Sequence, residues 1–127
     1  MRSSPSSTNA PRWFDPRSRQ AGAWAFLLHR LSALGLTFYL GLHLVVLNKL
    51  AQGPLAYDRF LESAQAPLIK MGEVILIAGV LFHGLNGLRL ITHALGIGIS
   101  FQKQAFSGVV TMTILLSALF ALHLFGE

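Results

Sequence analysis

The sequence is 127 residues long, 53% hydrophobic and only 12% charged, and charge that scarce cannot cover the surface of a soluble domain of this size. The absence of cysteine excludes disulfides, thiolate metal sites and cysteine-ligated iron–sulfur clusters. A net charge of +5 does not indicate nucleic-acid binding here, because the cations flank apolar stretches, where they set membrane topology.

Residues 1–20 read as a polar tail. Ser3, Ser4, Ser6, Ser7 and Thr8, with Pro5 and Pro11, favour irregular backbone, and nothing among them resembles a signal peptide. Arg2, Arg12, Arg17 and Arg19 outweigh Asp15 and place this end on the cytoplasmic side, as in a bacterial cell (inner) membrane. Residues 21–127 form a three-helix membrane domain, with apolar segments over about 24–47, 68–95 and 105–124. Each is close to the roughly 20 residues a helix needs to cross a bilayer. The expected fold is an all-α, multi-pass membrane protein.

The first span carries His29 and Arg30 near its inner end and His43 in its outer half. A separation of about four helical turns, roughly 21 Å of rise, returns His43 close to the face of His29. The two imidazoles therefore look into one interior at two depths. Trp13 and Trp24 suit the aromatic belt at the membrane edge. In the outer link, Pro54 and Pro67 bracket residues 55–66, where Leu55, Phe60 and Leu61 make the apolar side of a short surface helix.

The second span holds the most informative pattern, His83-x-x-x-Gly87-x-Arg89. A histidine deep in a lipid-spanning helix is costly and marks a site by default. Gly72, Gly79, His83, Gly87 and Ala94 fall near one face, and their small side chains admit a neighbouring helix or a flat cofactor. By helical rise, His83 lies about 9 Å deeper than Arg89, so His29, Arg30 and Arg89 form a layer towards the inner surface. An imidazole below guanidinium groups suits a haem with buried iron and propionates pointing inward. Asn86 is expected to donate a helix–helix hydrogen bond. Glu73, His93 and His123 are read as interfacial, and His43 is either a second haem ligand or a helix–helix hydrogen-bonding group.

Two motifs carry a family likeness. Phe26-Leu-Leu-His29-Arg30-Leu-Ser32-Ala33, followed by Phe82-His83-Gly-Leu-Asn86-Gly87-Leu-Arg89, resembles the cytochrome b membrane-anchor subunit of succinate dehydrogenase, from about Trp24 to the end. That resemblance implies His83 as an axial ligand of haem b, with His29, Arg30 and Arg89 near the propionates or the quinone, and Arg30 and Ser32 contacting the quinone. His43 has counterparts in relatives that stack two haems, so one or two haems are implied, with His83 and His43 as the metal ligands. Three departures stand out: Ala33 where the signature has glycine, Phe26 where ubiquinone-reducing members often have serine, and Ala94 in place of a common aspartate.

The expected function is that of a haem b-binding anchor in a succinate:quinone oxidoreductase, using menaquinone or ubiquinone. No dinucleotide fingerprint and no cluster cysteine occur here, so succinate oxidation falls to a flavoprotein and an iron–sulfur subunit. Three helices cannot enclose a haem on both faces. A second membrane-anchor subunit should therefore complete a heteromeric bundle and supply the other axial ligand. Two alternatives stay open: a fumarate reductase anchor running in the quinol-oxidising direction, and a cofactor-free structural or transport subunit whose histidines relay protons.

Overall fold

The computed structural model describes residues 21–127. The expected polar tail, with Trp13 and the arginines at 2, 12, 17 and 19, lies outside the described residues. Among the described residues four α-helices follow in order: α1 (Ala21–Ala51), α2 (Pro54–Ala64), α3 (Pro67–Ala94) and α4 (Gln102–Gly126), with a short 3₁₀ turn, Ile99–Phe101, leading into α4. Among the described residues no strand occurs. Helices α1, α3 and α4 are each long and apolar enough to cross a membrane.

The helix ends follow from the sequence. Nothing in the 31 residues of α1 interrupts it, and at 1.5 Å per residue it is about 46 Å long. It therefore outruns both the expected segment and the roughly 30 Å hydrocarbon layer, and must tilt or project. It ends at Ala51, and the chain turns at Gly53, whose backbone at φ 112° and ψ 167° is a conformation only glycine adopts readily. Pro54 and Pro67 each sit at the first turn of a helix, where proline's missing N–H costs nothing. Helix α3 ends in a left-handed cap at Gly96: its N–H donates to the His93 carbonyl and the Ile97 N–H to that of Thr92, both at 2.9 Å.

Helix α3 is the centre of the bundle, packed against α1 on one side and α4 on the other, while α1 also touches α4. Its interior is unusually polar. Ala25, Phe82 and Val109 are the buried apolar residues, and beside them lie Asn86, Arg89, Thr113 and Ser117. Large apolar side chains such as Leu34, Phe38, Leu68 and Leu122 point outward, the arrangement expected where lipid is the solvent and small or polar residues join the helices.

Individual contacts set the packing. Asn86, with no exposed surface, donates from Nδ2 to the Ala25 carbonyl at 3.5 Å and accepts from Arg89 Nε at 2.9 Å. This is the helix–helix bond expected of it. Phe82 meets Phe106 edge to face at 6.4 Å, and Thr113 returns its hydroxyl to the Val109 carbonyl within α4 at 2.8 Å. At the far end, Lys70 Nζ donates to the Leu124 carbonyl at 3.1 Å, placing a cation on the C-terminal end of α4 where the helix dipole favours it. Replacing Asn86 with alanine should cost about 1–3 kcal/mol, because the buried Arg89 Nε loses its acceptor. Thr113→Val removes only a bond within one helix and should cost less. Thermal unfolding in detergent measures both.

Candidate functional site

The register between α1 and α3 brings the sequence-predicted residues together. With Ala25 opposite Asn86, the next turn of α1 sets His29 against His83. The two rings stack almost parallel, their centres 4.1 Å apart and their planes within 9°. His29 therefore lies at the depth of His83, one layer below where the helical rise along each span had placed it. The reason is that side chains from antiparallel helices meet where the register sets them, and here a buried asparagine sets it.

Ser32 completes the cluster. Its hydroxyl is 2.8 Å from the His29 carbonyl and 3.1 Å from His83 Nδ1. A carbonyl only accepts, so the hydroxyl's single hydrogen goes to His29. Oγ must then accept from His83, which puts a hydrogen on Nδ1. In the neutral imidazole the lone pair is left on Nε2, the tautomer a metal ligand needs. A quinone contact through Ser32, as the resemblance implies, would require its O–H to leave the His29 carbonyl. His29 Nδ1 is buried and has no hydrogen-bond partner among the described residues.

The two arginines part company. Arg89 is buried, its Nε on Asn86 and its guanidinium 5.8 Å from the centre of the Phe106 ring. Arg30 is exposed on the outside of α1, held 5.4 Å over Phe26. Phe26 thus supplies an aromatic face for the cation beside it. Gly87 faces the His29 ring, and a Cβ added there would stand 3.6 Å from Cε1, an ordinary contact.

Outward from Ser32 a groove of about 560 Å³ runs between α1 and α3. Gly35, Gly72 and Gly79 open its walls, and His43, Tyr39 and Glu73 are its polar residues near the outer end. His43 is exposed, with the Tyr39 hydroxyl 3.4 Å from its Nδ1. His43 lines this groove and His29 does not; His29 is stacked on His83 instead. Among the described residues no three His, Asp or Glu side chains gather as a metal cluster.

Sequence reasoning left several features unplaced. Ser32, expected as a quinone contact, is three residues from His29 and so on the same side of α1, a spacing that points to its place beside the imidazoles. The Tyr39–His43 pair follows the same rule. His93, expected at the interface, turns back to donate from Nδ1 to the Arg89 carbonyl at 2.7 Å, leaving a buried Nε2 without a partner among the described residues. His123, in contrast, is exposed and pairs with Glu127 at 3.5 Å.

Residues 6–124 match the family model described as succinate dehydrogenase/fumarate reductase transmembrane subunit. The chain belongs to this family. It is 34% identical over 94 residues to the succinate dehydrogenase hydrophobic membrane anchor subunit of Halobacterium salinarum, covering 73% of this chain and 72% of that protein. It is 36% identical over 70 residues to the succinate dehydrogenase 2 membrane subunit SdhC of Mycobacterium tuberculosis, covering 55% of this chain and 52% of that one. The chain is a multi-pass, all-helical membrane anchor of the succinate dehydrogenase type. Within that anchor, Gly87→Ala should fold as well as the parent or gain up to about 1 kcal/mol from helix propensity. Gly87→Leu should displace His29 and lower the thermal midpoint, and equal midpoints for the two would remove the close approach.

Proposed function

We propose that this chain is the haem b-binding anchor of a succinate:quinone oxidoreductase, with His83 as the axial ligand it contributes. The observation that carries this reading is the relay from His83 Nδ1 through Ser32 to the His29 carbonyl, which leaves Nε2 to the metal. The donor set suits haem in other respects. His29 offers a buried Nδ1 that has no partner among the described residues, and Arg30 and Arg89 supply cations for carboxylates. His29 is stacked face to face on His83, so the two would not hold one metal between them. A second membrane-anchor subunit would supply the other ligand.

Bound haem would supply one-electron chemistry at this depth. The chain's own residues bind and orient. The inner surface, where α1 begins and α3 ends, docks the iron–sulfur subunit, which carries the flavoprotein. In this orientation the N-terminus faces the cytoplasm, as the arginines among residues 1–20 favour. Arg30 is the residue for the quinone: it is exposed, its guanidinium is held over Phe26, and it can polarise a quinone carbonyl. The family description spans succinate dehydrogenases and fumarate reductases. Both relatives named above are succinate dehydrogenase subunits, which supports the succinate-oxidising direction.

A second haem on His43 is the other reading that an observation favours, since that imidazole is exposed on a groove opened by glycines. Its propionates would need cations from the partner subunit, because the charged residue lining the groove is Glu73. His43→Ala should then remove one of two haems per flavin, and an unchanged ratio would assign His43 to packing or to quinone chemistry.

The reading as a whole is tested in the purified complex by counting haem against flavin through the pyridine haemochrome. Reduced b-type bands are expected, and their absence would favour a cofactor-free anchor. Arg30→Ala should lower quinone reduction by on the order of 10²-fold, the scale of losing one preorganised electrostatic partner. Succinate oxidation with a soluble acceptor should stay intact. Unchanged quinone reduction would remove Arg30 from the site.

A further inference from the structure

We infer that Ser32 is a positioning residue for haem, acting through His83, a role that rests on His83 being the ligand. The hydroxyl is geometrically committed on both sides, to the His29 carbonyl at 2.8 Å and to His83 Nδ1 at 3.1 Å. Donating its own hydrogen to the carbonyl polarises Oγ and makes it a better acceptor. Oγ therefore fixes three properties of His83 at once. It holds the hydrogen on Nδ1, it limits rotation of the ring, and it draws on the N–H so that Nε2 becomes the more basic donor. The stacked His29 ring restricts the same rotation from the face of the imidazole, and Ser32 holds its edge. Both constraints come from α1, so one helix sets the orientation of a ligand borne by another.

In a span this apolar the alternatives for Nδ1–H are few. Water is scarce at that depth, and the carbonyls of α3 are engaged in its own helix. An Nδ1–H without Ser32 would be an unpaired donor in hydrocarbon, and the ring would be free to turn or to take the other tautomer. Either change weakens the ligand without disturbing the helix that carries it. A more basic Nε2 stabilises ferric over ferrous iron, so the hydrogen bond also holds the haem potential down.

The experiment uses the assembled complex, extracted of quinone, in five forms: parent, His83→Ala, Ser32→Ala, Ser32→Thr and Ser32→Val. Haem affinity is read by equilibration with excess apomyoglobin, and the haem midpoint potential by redox titration followed in the visible spectrum. Ser32→Ala should bind haem roughly 10- to 100-fold more weakly, the usual effect of losing such an outer partner, and its potential should shift upward. Ser32→Thr should match the parent in both. Thr and Val are alike in shape and differ by the hydroxyl, so a Thr-like affinity and potential in Ser32→Val would overturn the proposal even if Ser32→Ala assembled poorly. Loss of haem in His83→Ala, with parental affinity and potential in Ser32→Ala, would leave the ligand in place and remove Ser32 from this role. Full haem retention in His83→Ala would overturn the ligand reading and this inference with it. Because quinone is absent, a Ser32 that only contacts quinone leaves both readouts unchanged.

Discussion

A polar side chain in the middle of a membrane-spanning helix has no water to turn to, so its partner must come from another part of the protein. His83 finds its partner on α1, where Ser32 takes the Nδ1 hydrogen and His29 covers one face of the ring. Asn86 one turn away does the same for the backbone of Ala25 while holding Arg89. These few bonds fix the register of α1 against α3. Every other placement follows from that register, including the depth of His29, the groove beyond Ser32 and the outward position of Arg30.

The same constraint explains the inverted look of the bundle. Packing of apolar side chains gains little where lipid is as apolar as leucine. The large hydrophobics accordingly face outward, and the buried set includes Asn86, Arg89, Thr113 and Ser117. Arg89 is accommodated by an amide oxygen on one side and the Phe106 ring on the other, two partners that ease the burial of a charge.

Much of the fold was legible because its signals are local. Apolar length gave the spans, Pro54 and Pro67 gave the starts of two helices, and the motif around His83 gave the family that the comparisons then established. What depends on how two helices meet was not legible. Helical rise alone set His29 in the layer of Arg89, because rise describes one helix and carries no information about register between two. The parting of Arg30 and Arg89 was hidden for the same reason: the first meets Phe26 on its own helix, the second Phe106 on α4. Ser32 was visible as part of a motif, but its hydrogen-bond commitments required coordinates.

The central claim is that the His83–Ser32–His29 relay prepares His83 Nε2 for haem iron. A high-resolution map of the complete complex in lipid tests it most directly. The account predicts haem iron bonded to His83 Nε2, Ser32 Oγ still on Nδ1, and the opposite axial ligand contributed by another membrane subunit. Haem held entirely by other chains, with His83 still stacked on His29, would contradict it.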